Sequence, residues 1–292
     1  MADRERKSEG SSRSEARLAG NKPPRSPDSD ACATEGIRVT YIGHATLLLE
    51  IGGKRILTDP NFDPALARIL RRVAPPGVAI DKLPALDAVL VTHAHADHLS
   101  FTSLAALPQT VPVFAPGPVQ QWLRAAGYKQ AQAINSGDAL KLGNLTIHGT
   151  TAEHRGNRYG FDHWRSAANM YLLEAPDTAC FFAGDTGLTE TTHRMVETIL
   201  HPTGRQLDLA LLPIGYAPWW KPRFRRGHLS SDDALTLFER LGARYLIPYH
   251  WGTFHHFSAG PFDAIDQLRS SLEQHPRRED VKVLEPGMTF AL

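Results

Sequence analysis

Thr92-His93-Ala94-His95-Ala96-Asp97-His98 follows directly on the apolar run Ala88-Val89-Leu90-Val91. The apolar run has the length and β-branched content of a buried strand. Side chains alternate faces along an extended chain, so His93 and His95 point the same way and can grip one ion together. Asp97 and His98 lie just beyond, where the chain should turn into a helix. From there they can face the same cavity from another direction and hold a second ion. Imidazole with carboxylate suits zinc, iron or manganese, and the missing cysteine leaves the choice among them open.

Outward from this stretch, the chain divides in two. Residues 1–36 mix charge, Ser, Pro and Gly with scarcely any large apolar side chain, which predicts a disordered polar tail. Residues 37–292 read as one catalytic domain. Its first half is strand-rich (IRVTYIG, ATLLLEIGG, KRILTDP, VPVFA, LTIHGTT, NMYLLEA, ACFFAGD) with helices around Ser103–Leu107 and Val119–Ala126. The second half predicts a helix around Glu190–Leu200, the strand LDLALLPI, a helix from Ser231 to Leu241 capped by Ser230 or Ser231, and the strand ARYLIPY. Helices flanking two sheets are the simplest packing of such a string.

The bulk numbers exclude several classes. Lys plus Arg number 32 against 31 Asp plus Glu, so no global field would draw in nucleic acid or an anionic membrane. The N-terminal residues lack a signal-peptide core, no run approaches a membrane span, and a cytoplasmic location with at most peripheral membrane contact is expected. Two cysteines, Cys32 and Cys180, argue against a disulfide framework and exclude a thiolate zinc site. Local basic features stand out against this neutral background. Tyr216, Trp219 and Trp220 lie among Lys221, Arg223, Arg225 and Arg226, which suits an amphiphile with an anionic head, a single-stranded nucleic acid, or packing of a loop on the core. The run Arg68-Ile69-Leu70-Arg71-Arg72 would lay basic residues on one face of a helix.

THAHADH resembles the T-H-x-H-x-D-H signature of the metallo-β-lactamase fold, an α+β sandwich of four layers, αββα, with two mixed sheets between helices. The family's remaining ligands have counterparts in order: His154 in Thr150-Thr151-Ala152-Glu153-His154, Asp185 in Ala183-Gly184-Asp185-Thr186-Gly187, and His250 in Pro248-Tyr249-His250-Trp251-Gly252. The resemblance implies a first metal on His93, His95 and His154, a second on Asp97, His98 and His250, and a bridging Asp185. It implies two divalent ions, zinc being the first choice, and gives Asp59 in Leu57-Thr58-Asp59-Pro60 the task of orienting an imidazole. Tyr41-Ile42-Gly43-His44-Ala45-Thr46, Gly227-His228-Leu229 and His250-Trp251-Gly252-Thr253-Phe254 narrow the likeness to N-acyl-phosphatidylethanolamine-hydrolysing phospholipase D.

Cations sharing a carboxylate lower the pKa of water toward neutrality and neutralise both the equatorial oxygens and the leaving alkoxide of a phosphodiester. Such a centre fits phosphodiester hydrolysis, and the resemblance makes the expected activity hydrolysis of a small-molecule or lipid phosphodiester, of phospholipase D type. Asp97 would exchange a proton with the reacting groups, and the resemblance implies that His228 contacts the phosphate or leaving group. A lactone or carboxylic-ester hydrolase is the alternative, since hydroxide attacks a carbonyl carbon equally well. A redox di-iron centre is disfavoured because relatives of that kind carry glutamate where His95 stands. The thiolate type of β-lactamase would have cysteine in place of Asp185. Nucleic acid is an unlikely substrate, because neither a basic insertion nor net positive charge is visible.

Overall fold

The computed structural model describes residues 36–66, 69–215, 225–255 and 259–292. The tail expected over residues 1–36 lies outside them except for Gly36. Strands β1 (Ile37–Gly43), β2 (Thr46–Ile51) and β3 (Lys54–Thr58) form an antiparallel meander. Gly52 and Gly53 join β2 to β3 with φ of 57° and 71°, the two positive values that a two-residue primed hairpin turn requires. The short hairpin β4 (Ala65–Leu66) and β5 (Leu70–Arg71) follows, then β6 (Ala88–Leu90), α1 (Phe101–Ala106), β7 (Val113–Ala115), α2 (Gly117–Ala125) and β8 (Ala131–Ala133). These strands make a seven-stranded sheet in the order β15-β1-β2-β3-β6-β7-β8, closed at its outer edge by β15 (Thr289–Ala291).

The second sheet has six strands: β9 (Ala139–Leu142), β10 (Leu145–Thr151), β11 (Asn169–Glu174), β12 (Ala179–Phe182), β13 (Leu209–Pro213) and β14 (Tyr245–Tyr249), arranged β14-β13-β12-β11-β10-β9. Helices α3 (Arg194–Leu200), α4 (Ser231–Leu241) and α5 (Asp263–Leu272) complete the chain. One apolar core joins the inner faces of both sheets, with Val39, Leu47 and Leu49 on one side and Ile147, Leu173 and Cys180 on the other. The same core extends to Val196, Leu237 and Phe238 on the helices over the second sheet. A separate core packs Leu57, Val89 and Val113 against Leu104, Val119 and Leu123 of α1 and α2. Helix, sheet, sheet, helix is the αββα sandwich that the family resemblance implies.

Two local expectations change. The Arg68–Arg72 run is not helical: Leu70–Arg71 pairs as β5 with β4, and Arg68 lies outside the described residues. Arg72 turns inward, donating to the carbonyls of Asp63 and Asn61 and covering the Phe254 ring at 4.7 Å, so tertiary contacts override the periodicity. The helix expected from Glu190 begins only at Arg194, because Thr189 and Thr192 hydroxyls satisfy the backbone of the preceding turn. Helix α4 matches its expected bounds, with Ser230 as the N-cap in a reciprocal capping box with Asp233.

Candidate metal centre

Strands β10, β12, β13 and β14 all run in one direction, since β10 and β12 are both antiparallel to β11 while β12, β13 and β14 are mutually parallel. Their C-terminal ends therefore share one rim. His154 follows β10, Asp185 follows β12 and His250 follows β14, while the segment after β6 brings His93, His95, Asp97 and His98 from the other sheet. The seam is bolted at this rim. Tyr171 Oη on β11 donates to the Val91 carbonyl at 2.9 Å, and Asn169 N donates to the Thr92 carbonyl at 3.0 Å.

All seven residues expected as ligands come together, in two groups among the described residues: His93, His95, His154 and Asp185 in one, and Asp97, His98 and His250 with His44 in the other. In the first group His95 Nδ1 lies 3.0 Å from His93 Nε2 and 3.1 Å from His154 Nε2. Asp185, a member of the first group, also reaches the second, with Oδ2 3.4 Å from His98 Nε2 and Oδ1 3.4 Å from His250 Nε2.

Hydrogen bonds on the far side of the rings fix which nitrogen faces inward. Asp59, fully buried, accepts at Oδ1 from Thr92 N and at Oδ2 from Thr92 Oγ1 and His98 Nδ1, each at 2.7 Å. The Thr92 hydroxyl has thus spent its hydrogen on Asp59, so at 2.9 Å it accepts from His93 Nδ1–H. His154 Nδ1–H donates to the Gly227 carbonyl at 2.7 Å. Each of these three imidazoles then presents an Nε2 lone pair to the centre, and Asp59 has the orienting contact that the sequence implied.

Electrostatics agree with the donor chemistry. Burial, helped by the neighbouring rings His98, His95 and His154, holds His93 well below the ordinary histidine range. Burial likewise takes His154 down to about 3 against the opposing pull of Asp185. Neutral imidazole is the form that ligates. For His98 burial acts downward too, but Asp185, Asp97 and Asp59 overcome it and raise it well above its usual value. Three carboxylates around one ring mark a place that favours positive charge.

On these observations the residues fit bound divalent metal. His98 Nε2, Asp185 Oδ1 and both nitrogens of His250 are buried and make no hydrogen bond, their 3.4 Å approaches being misaligned. Orphaned buried groups carry a large desolvation cost that a shared cation would relieve. The converging lone pairs of the first group need the same relief.

Backbone strain is concentrated here. The only described non-glycine residues with positive φ are His44 (56°), Asp59 (33°) and His250 (74°), conformations costing about 1–3 kcal/mol each that cluster where function fixes them. Gly184, with φ of 57°, sets the direction of Asp185, and a Cβ there would lie 2.7 Å from Thr92 Cγ2. Gly184→Ala is expected to lower unfolding free energy by about 2–3 kcal/mol in urea titration, through strain and this clash together; a change below about 0.5 kcal/mol would contradict that account.

His44 belongs to the site, although nothing in the sequence assigns it a role beyond the likeness of its Gly43-His44-Ala45-Thr46 segment. It is buried, its Nε2–H donates to Asp97 Oδ2 at 3.1 Å, and its ring lies 3.9 Å from that of His250. Its backbone is clasped as well: His44 N donates to Thr253 Oγ1 and His250 N donates to the His44 carbonyl. The signal for this role is a strand-ending histidine whose partners lie far away in sequence. His228 also reaches the centre, with Nε2 3.7 Å from Asp185 Oδ2 and its ring 4.8 Å from His154. The Tyr216–Arg223 part of the aromatic and basic cluster lies outside the described residues, and Arg225 pairs with Asp233 at 3.3 Å.

Residues 54–251, more than half the chain, match the family model described as the beta-lactamase superfamily domain. The chain belongs to the beta-lactamase superfamily. As a superfamily member it is a metal-dependent hydrolase of the metallo-β-lactamase fold. It is 31% identical over 293 residues to an uncharacterised protein of Mycobacterium tuberculosis, covering 94% of this chain and 74% of that one. It is 28% identical over 274 residues to an N-acyl-phosphatidylethanolamine-hydrolyzing phospholipase D of Caenorhabditis elegans, covering 87% and 74% respectively. In three dimensions the superfamily member resembles an isothiocyanate hydrolase from Delia radicum gut bacteria, with a TM-score of 0.72 at 21% identity over 87% of this chain and 99% of that one.

Proposed function

We propose that this protein is a phosphodiesterase of phospholipase D type, acting on N-acyl phosphatidylethanolamine or a similar lipid phosphodiester. His93, His95 and His154 would hold one divalent cation, Asp97, His98 and His250 a second, and Asp185 both, with zinc the first choice for this donor set. Ions held there supply hydroxide near neutral pH and offset negative charge on the reacting group.

The observation that carries the reading is Asp185, whose two oxygens reach separate histidines while His228 stands beside it. A phosphodiester passes through a transition state with charge on equatorial and leaving oxygens at once, which calls for several positive or donating groups side by side. His228 is 17% exposed in its side chain and so can meet a substrate oxygen as a donor. Asp97 is held through Oδ2 by His44, which places the carboxylate to take up a proton from water and return it to a leaving alkoxide. The likeness to the nematode phospholipase supports the choice of substrate.

Metal content by plasma mass spectrometry, paired with hydrolysis of a bis-aryl phosphodiester, N-acyl phosphatidylethanolamine and a lactone panel before and after chelation, tests this. About two metals per chain and chelator-sensitive cleavage of both phosphodiesters are expected. Exclusive lactone turnover would replace the reading with a lactone or carboxylic-ester hydrolase. Absence of metal after reconstitution would remove the two-ion site itself.

A further inference from the structure

We propose that the loop of residues 155–166 docks this protein on anionic phospholipid bilayers through Tyr159, Phe161 and Trp164. These three rings are 46%, 71% and 66% exposed, among the largest exposures of apolar side chains in the described residues. Tyr159 and Phe161 stack on each other, 5.5 Å between centroids and 7° from parallel, with their outer faces bare.

The loop holds the rings outward by construction. Buried Asp162 accepts from Tyr159 N at 2.6 Å, Asn157 Nδ2 donates to the Tyr159 carbonyl at 2.6 Å, and Arg158 donates to the Leu99 carbonyl at 2.7 Å. The Arg165 guanidinium lies 4.1 Å over Trp122, anchoring the loop's return. Gly156 ties the base to both sides, donating to the Ser166 carbonyl and accepting from Ala94 N. A segment so well fixed could have buried these rings, and its hydrogen bonds instead prop them into solvent.

Charge selects the occupant. Within residues 155–166 the only acid is Asp162, which is buried and pairs with Arg165 at 3.3 Å; Arg158 is turned to the Leu99 carbonyl, and Arg155 is left as the exposed arginine. Tyr and Trp favour the headgroup layer, and an exposed arginine beside an apolar tip whose own acid is buried favours an anionic lipid surface. A second tip repeats the chemistry. Ile69 is 67% exposed between β4 and β5 beside exposed Arg71, and this hairpin is tied to the segment after His250 by the Arg72–Phe254 bridge. The first tip begins one residue after His154. Two apolar points with a cation beside each, one next to His154 and one bridged to the segment after His250, suit a fluid bilayer.

No helix of the described residues is long and apolar enough to cross a membrane, so attachment of this kind would be peripheral. The inference would give the proposed phosphodiesterase its substrate at the rim, yet it stands without that reading. Co-sedimentation of the full chain with sucrose-loaded vesicles of phosphatidylcholine, with and without phosphatidylserine, tests it. The wild-type chain is expected to sediment with the phosphatidylserine vesicles, Phe161→Ser/Trp164→Ser to lose about tenfold in partitioning, Phe161→Trp to retain it, and Arg155→Glu to weaken the phosphatidylserine preference. Hydrolysis of a soluble bis-aryl phosphodiester and the thermal unfolding midpoint report whether each variant is folded. Binding without lipid cleavage would leave the docking surface and remove the phospholipid substrate. Wild-type chain that stays in the supernatant, or a double variant that sediments as well as wild type, overturns the proposal.

Discussion

Asp185→Asn is expected to lower phosphodiester turnover roughly a thousandfold or more and to leave fewer than two ions per chain. The side chain is nearly isosteric, so packing is kept. What changes is charge: burial alone would push this carboxyl upward, but His250 and His98 outweigh it and hold Asp185 well below the carboxylate range, so an anion is what the surrounding rings are built around. The amide removes that anion from between His98 and His250 and puts two N–H donors where ligand lone pairs converge. Zinc titration followed by scanning calorimetry supplies a readout apart from activity. The wild-type midpoint should climb with added zinc and the variant's should climb much less, because only ions that bind the folded state stabilise it. Equal metal content and unchanged kcat in the variant would refute the shared-carboxylate role.

The second large effect falls on a residue that touches no substrate. Asp59→Ala strips a fully buried carboxylate from Thr92 N, Thr92 Oγ1 and His98 Nδ1, leaving three buried donors without an acceptor. Loss of one member of such a network costs about 3–5 kcal/mol. Urea unfolding in the presence of a chelator isolates that structural part. His98 and His93 lose the contacts that fix their tautomers, so zinc affinity should fall by about 10–100-fold besides. Asp59→Asn, retaining one acceptor oxygen, should sit between the two. If Asp59→Ala cost under about 1 kcal/mol, the network would not be the brace described here.

Legibility in the sequence followed the distance over which each residue's role is set. His93, His95, Asp97 and His98 were readable because period-two alternation after a buried strand is a local property of the chain. His154, Asp185 and His250 became readable by their order at strand ends, and the two sheets do bring their atoms within 4.8 Å in the two groups. His44 was hidden because its function is a bond to Asp97, 53 positions away, on a left-handed backbone that no pattern of hydrophobicity encodes. Strand β9, with burial alternating only between exposed and half-buried, and β15, with three residues, carry too little apolar signal to stand out. Helix α5 was likewise passed over, since it buries only Ile265 and Leu268. Arg68–Arg72 misled in the opposite direction: the spacing of its cations looked helical, while the conformation of Arg72 is dictated by carbonyls of Asn61 and Asp63.

The placement of ligands at the ends of successive strands also orders events in time. Every donor of the first group has left the ribosome once Asp185 has, whereas the second group waits for His250, 65 positions later. The donor sets are therefore completed in stages. A nascent chain halted between these points carries the whole donor set of the first group and only part of the second, so the complete pair of clusters is a property of the finished domain.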